Sequence, residues 1–212
     1  MAAAMTTPNT LLGTFQPRSQ TARLLSNIVL VVLGTLILAA SAKFKVPLPP
    51  VPFTMQTLAV AVLAAGLGWR LGVATVALYL IEGLSGLPVF ANGGGFAYVF
   101  SPSFGFLVGY LPMALLIGWV ADRGAAGNVA LLFAVMVAGD AIAFACGFGW
   151  LLTVANSIQS SGGELPSWLK GGDLTTVAYN GAVKPFILWD LLKMAFAAMT
   201  VAGLWAAFRK KA

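Results

Sequence analysis

Histidine is absent from this 212-residue chain, and cysteine occurs once, at Cys146. Without histidine there is no imidazole metal site and no histidine-based triad. One cysteine makes neither an internal disulfide nor a Cys-rich metal centre. The stretch around Cys146 is apolar, so its thiol reads as a small buried hydrophobe. Charge is nearly as scarce: 12 Lys and Arg with 6 Asp and Glu make up 8% of the chain, where a soluble domain carries roughly 25%. The basic residues are scattered between apolar runs, which excludes nucleic acid as the target of the net charge of +6. Neither a GxxxxGK[ST] nor a GxSxG pattern is present. Nucleotide hydrolysis or serine-hydrolase chemistry would have to come from another chain.

What the chain has in abundance is apolar surface, with 59% hydrophobic residues. A globule of this size in water could not hide so much, so its solvent is lipid. A transmembrane helix needs about 20 mostly apolar residues. Six candidate spans follow: 23–42, 54–67, 71–84, 104–120, 128–152 and 183–208. The second and third are short and require extension at their ends or a thinned bilayer. With the N-terminus inside, the inner loops hold Arg18, Arg23, Arg70, Arg123, Arg209, Lys210 and Lys211, and the outer ones Lys43, Lys45, Lys170 and Lys184. That asymmetry places both termini in the cytoplasm. Arg18 and Arg23 followed by an apolar run ending Ala40-Ser41-Ala42 imitate a cleavable signal, but the run is long for one. The expected organisation is a mobile cytoplasmic tail over 1–20 and a single all-α, six-helix membrane domain over 21–212. Residues 153–182 read as a long polar outer loop.

Charge at membrane depth is costly, about 2.5–3.5 kcal/mol per group on insertion scales, and so needs a reason. Asp190 and Lys193 are spaced i, i+3, which puts them on one helix face within reach of each other. They read as a polar handle for a bound solute, or as a self-neutralising pair that glues the sixth span to a neighbour. Asp140 lies mid-span, either a second polar contact or a packing group, and Glu82 sits near an interface where it can snorkel. The proline run from Lys45 to Pro52 forbids a helix. Thr54 can then cap the helix that follows, with Gln56 in its first turn, facing the bundle or solvent. The glycine-rich loop Gly83–Phe96 allows close backbone approach to a ligand and reads as a lid.

At these residues the sequence resembles the BioY family, the substrate-binding (S) components of energy-coupling factor biotin transporters. The motifs are PVPFTMQT (Pro50–Thr57), LYLIEGLSGLPVF (Leu78–Phe90) with its glycine cluster, SPSFGFLVGY (Ser101–Tyr110), and Pro185-Phe186 with Asp190 and Lys193. Together they run from the first span to the sixth. The chain departs from the family at Ser101-Pro102-Ser103-Phe104-Gly105, at Leu188-Trp189 before the aspartate, and in carrying charge at Glu82 and Asp140. The resemblance implies a six-helix S-component bundle that binds biotin near its outer face. It implies no cofactor, and as partners a membrane coupling subunit and two ATPases.

Biotin suits the residues. Asp190 can accept from a ureido N–H, and Lys193 can donate to a carbonyl or carboxylate. Gln56 and Asn92 offer donors and acceptors, Gly94 a bare backbone, and Phe90, Tyr98 and Trp189 aromatic cover. Thr35, Ala39 and Ala42 form a small-residue stripe on the first span, suited to close packing on a coupling subunit or on another helix of this chain. The competing classes are a solitary secondary carrier coupled to an ion gradient through Asp140 or Glu82, and a membrane enzyme. The missing histidine and nucleophile motifs argue against the enzyme.

Overall fold

A computed structural model describes residues 10–11, 19–162, 166–170 and 172–209. Seven helices follow one another: α1 (Gln20–Lys43), α2 (Gln56–Leu67), α3 (Trp69–Leu84), α4 (Phe104–Asp122), α5 (Val129–Ser160), α6 (Leu174–Ala182) and α7 (Ile187–Arg209). Four stretches are long and apolar enough to cross a membrane: α1, α4, α5, and α6 with α7 taken together. A two-stranded ribbon, β1 (Lys45–Val46) and β2 (Phe53–Thr54), joins α1 to α2. It pairs antiparallel, Lys45 opposite Thr54 and Val46 opposite Phe53. The four prolines between Lys45 and Phe53 keep this segment extended.

The short helices are delimited by chemistry visible in the sequence. Gly68, at φ +83°, turns the chain between α2 and α3 in a conformation other residues rarely adopt. The free N-terminus of α3 is then satisfied by Asp122 at the end of α4, whose Oδ2 accepts the Trp69 N–H at 3.2 Å. Asn128 caps α5 by accepting from the Leu131 N–H at 3.0 Å, and Asp173 caps α6 through the Thr176 N–H at 3.2 Å.

Helix α4 is the hub. It packs on α2, α3 and α5, and 61% of its apolar window is buried, against 28% for α1. Tyr79, Phe90, Met113, Ile117, Leu132, Met136 and Met194 fill the core without measurable exposure. Around the outside, Leu25, Ile28, Leu36, Leu188 and Phe196 face outward, as lipid-solvated residues do.

Three expectations change. The outer segment 153–182 is not one loop, because α5 continues to Ser160 and α6 occupies Leu174–Ala182. The polar residues Asn156, Ser157 and Gln159 masked that continuation, since a helix leaving the bilayer becomes polar without ceasing to be a helix. Cys146 is exposed rather than buried, because the outer face of α5 meets lipid, where an apolar residue gains nothing from protein cover. Most of the expected tail lies outside the described residues, but Thr10 is buried and Leu11 packs with the core near Gly66 of α2.

Candidate functional site

Helix α7 starts behind Pro185-Phe186 and carries Asp190 in its first turn. Asp190 and Lys193 are 2% and 8% exposed, and their Oδ1 and Nζ lie 2.7 Å apart. Two residues from a segment more than 130 positions earlier complete the arrangement. Thr57 Oγ1 donates to Asp190 Oδ1 at 2.7 Å, and Lys193 Nζ donates to the Thr54 carbonyl at 2.8 Å and to Thr57 Oγ1 at 3.3 Å. The ammonium thus uses all three donors, and it sits 3.9 Å from the centre of the Phe53 ring.

Beside this pair opens a cavity. Its polar groups are Thr54, Gln56, Thr57, Tyr98, Ser103, Tyr110, Asp190 and Lys193. Its apolar wall is largely aromatic. Phe106, Phe144 and Phe186 stand in a row with centroid spacings of 5.8 and 6.2 Å, and Phe53 stacks on Phe186 at 5.7 Å. Polar groups at one pole and a broad apolar wall suit a small amphipathic solute.

Gln56 points into the bundle at 2% exposure. Its Nε2 donates to the Tyr79 hydroxyl at 2.9 Å, and that hydroxyl donates to the Val89 carbonyl at 3.1 Å. Thr54 donates to Gln56 Oε1 at 3.2 Å. Its Oγ1 is 3.4 Å from the Gln56 nitrogen, but the residue at the N-cap of α2 is Met55 and no side chain caps the helix, so the expected Thr54 cap is not formed. One relay therefore ties the cavity to the glycine-rich loop.

Phe90 is the loop's anchor. It is fully buried, 5.3 Å from the Tyr79 ring and 4.7 Å from that of Tyr98. The ring fills the space a side chain at Gly83 would need, which accounts for the glycine there. Lys43 Nζ donates to the Phe90 carbonyl at 2.7 Å. Lys45 Nζ donates to the Ala91 carbonyl and to Asn92 Oδ1, each at 2.6 Å. Two lysines, Lys43 at the end of α1 and Lys45 in β1, thus hold the loop over the cavity, which it reaches through Ala91 and Tyr98. Past the loop, Tyr98, Ser101 and Ser103 hydroxyls form a chain with spacings of 3.3 and 3.0 Å.

Of the residues singled out from sequence, Asp190, Lys193, Gln56 and Tyr98 line the cavity. Phe90 supports its cover from behind. Asn92 is exposed and held by Lys45, and Gly94 is an exposed loop residue against the Leu87 carbonyl. Trp189 is 56% exposed and lines an apolar groove on the outer surface, with Val46, Leu48, Met55, Leu192 and Phe196. Thr35 and Ala42 are buried within the chain, and Ala39 is half-buried. Thr35 Oγ1 donates to Glu82 Oε1 at 3.1 Å, so Glu82 is held across α1 and α3 rather than only snorkelling. Sequence reading passed over Thr57, Ser103, Tyr110 and the three wall phenylalanines. Thr57 and Tyr110 each close a quoted motif, and that was the available signal.

The chain matches the BioY family over residues 12–210. It is 42% identical over 97 residues to a probable biotin transporter BioY of Lysinibacillus sphaericus, a match covering 46% of this chain and 50% of the relative. It thus spans about half the length of that relative. With the biotin transporter BioY of Thermotoga maritima the identity is 32% over 166 residues, 78% of this chain and 87% of the relative. Among solved structures, the S-component for biotin from an ECF-type ABC transporter superposes with a TM-score of 0.69. That match has 23% identity and covers 86% of this chain and 92% of the other, which establishes the shared fold. The relatives are named as transporters and not as enzymes. With its apolar helices and a match over nearly its whole length, this chain is a membrane protein belonging to the BioY family.

Proposed function

We propose that the chain is the biotin-binding membrane subunit of an energy-coupling factor transporter and mediates biotin uptake. The observation that carries this is the cavity itself, in which a buried Asp190–Lys193 pair forms one pole and Phe106, Phe144 and Phe186 supply an aromatic wall. Biotin has a ureido group with two N–H donors and a carbonyl, apolar thiophane and tail carbons, and a carboxylate. Asp190 accepts from the ureido N–H groups. Lys193 donates to the carbonyl or the carboxylate, Gln56 exchanges hydrogen bonds, and Phe106, Phe144, Phe186 and Tyr98 cover the apolar rings. Asn92 and Gly94 act in the loop above, and Phe90 through the packing beneath it. Trp189 closes the outer side of the wall through its edge contact with Phe53, 6.3 Å between ring centres.

No group in the cavity is set up to make or break a bond, so the work is binding and release. The sequence carries no phosphate-binding loop, so energy comes from a coupling subunit and ATPases in other chains. Ala39, half-buried beside the outward-facing Leu36 and Ala40, is the member of the small-residue stripe left open to such a subunit.

The bundle crosses the bacterial cytoplasmic membrane six times with both termini inside. Arg70 stacks on Trp69 and Arg123 on Trp119 at the end marked by Gly68 and Asp122, an arginine–tryptophan belt suited to the cytoplasmic interface. In a Cys146→Ala background, Ser161→Cys should react with an impermeant thiol reagent on intact cells, and Arg123→Cys only after permeabilisation. The opposite pattern overturns the orientation. Function is tested by calorimetric titration of the purified chain with biotin, and by radiolabelled biotin uptake with and without the energising subunits. Absence of saturable binding rejects the reading.

A further inference from the structure

A second carboxylate lies next to the cavity and has no evident use there. Asp140 is 7% exposed in the middle of α5, and its Oδ1 has no hydrogen-bond partner. It is one helical turn from Phe144, on the same face, and Phe144 lines the cavity. The ionisable groups that act on it are Asp190 and Lys193 of α7 and Tyr110 of α4. The other elements packed on α5 supply no counter-charge. α2 and the turn at Ala125–Gly127 contain no ionisable side chain, α6 offers the outward-facing Tyr179, and Asp122, at the far end of α4, is engaged with Trp69.

The three N–H groups of Lys193 are committed to Asp190, Thr54 and Thr57. Lys193 is thus neutralised by Asp190, and Asp140 adds a second buried carboxylate at membrane depth, where net charge is disfavoured. We propose that Asp140 is a binding site for one monovalent cation, a proton or sodium, taken up together with the ligand of the cavity. The linkage has a stated sign. Biotin carries a carboxylate, and a ligand anion drawing on the fully engaged Lys193 deepens the local deficit of positive charge by one. A cation on Asp140 restores the balance, so each ligand strengthens binding of the other, reciprocally.

The inference rests on the biotin reading, and one experiment separates the two. The purified full-length chain is titrated with biotin across neutral pH in sodium-free buffers of different ionisation enthalpy. It is then titrated at fixed pH with sodium replacing choline. With a proton as the cation, biotin binding takes up close to one proton and the Kd rises with pH, by up to about tenfold per unit. With sodium, the Kd falls as sodium rises and is flat in pH. Asp140→Asn should still bind biotin but lose the dependence. A Kd that is flat on both axes in the unmodified chain overturns the proposal, as does a dependence unchanged in Asp140→Asn. If Asp140→Asn does not survive purification, Asp140→Glu keeps the charge and must keep the dependence; a folded Glu variant without it is equally fatal. Failure of biotin to bind under any condition defeats the biotin reading instead.

Discussion

The cavity and the outer groove meet at the ribbon–α2 segment and the start of α7, and Lys193 lines both. Yet they are opposite in chemistry. The cavity gathers Asp190, Gln56, Thr54 and Thr57, all hydrogen-bonded to one another or to Lys193 and Tyr79. The groove holds Trp189, Leu192 and Phe196, more than half exposed, and no charged side chain except the shared lysine. In lipid, polar groups are affordable only where other protein groups satisfy them. Apolarity without a polar network therefore marks the surface that lipid wets, and the space with a buried, satisfied polar cluster marks the site that selects a ligand.

Breaking the cavity side should have the largest effects. Phe186→Ala removes a ring stacked between Phe53 and Phe144 and should cost about 3 kcal/mol of stability, seen as a lower Tm in detergent. Asp190→Asn keeps the shape but loses the charge that holds Lys193 and Thr57. It should weaken biotin binding by about 2 kcal/mol, roughly 30-fold, in a protein that still purifies. An unchanged Kd there would remove Asp190 from the site. Gln56→Leu removes a buried polar group of the cavity with its bonds to Thr54 and Tyr79, and should weaken binding by about 1 kcal/mol, near fivefold. Trp189→Ala, on the groove side, should leave the Kd within about threefold, as an exposed substitution does. A large loss with Trp189→Ala would erase the distinction between the two compartments.

Much of this was legible from the residues. The spans expected at 54–67, 71–84 and 104–120 match α2, α3 and α4 to within two residues at each boundary, because prolines, Gly68 and polar ends punctuate them. The Asp190–Lys193 pair followed from i, i+3 spacing alone. The rest needed three dimensions. Trp189 adjoins Asp190 in sequence, but consecutive helical residues point about 100° apart, and here that rotation puts Trp189 on the groove while Asp190 lines the cavity. Thr57 meets Asp190 only through the packing of α2 on α7. Asn92 was expected at the ligand, and its partner turned out to be Lys45, 47 positions away. The stripe on α1 could face either a subunit or the chain itself, and a one-dimensional pattern cannot distinguish the two. Packing against α3 took Thr35 into the interior.

Helix α2 has 12 residues, about 18 Å of rise, beside a 19-residue α4 of about 28 Å. Prolines end it early, and the ribbon that replaces its missing turns leaves a space no helix occupies. The cavity floor is the start of that short helix, at Gln56 and Thr57. Ligand room in this fold is thus set by helix length more than by side-chain size. Moving the ribbon–helix junction by one turn would shift the floor by about 5.4 Å. A lineage or a designer could therefore retune which vitamin fits by inserting or deleting residues near Met55 while leaving the aromatic wall untouched.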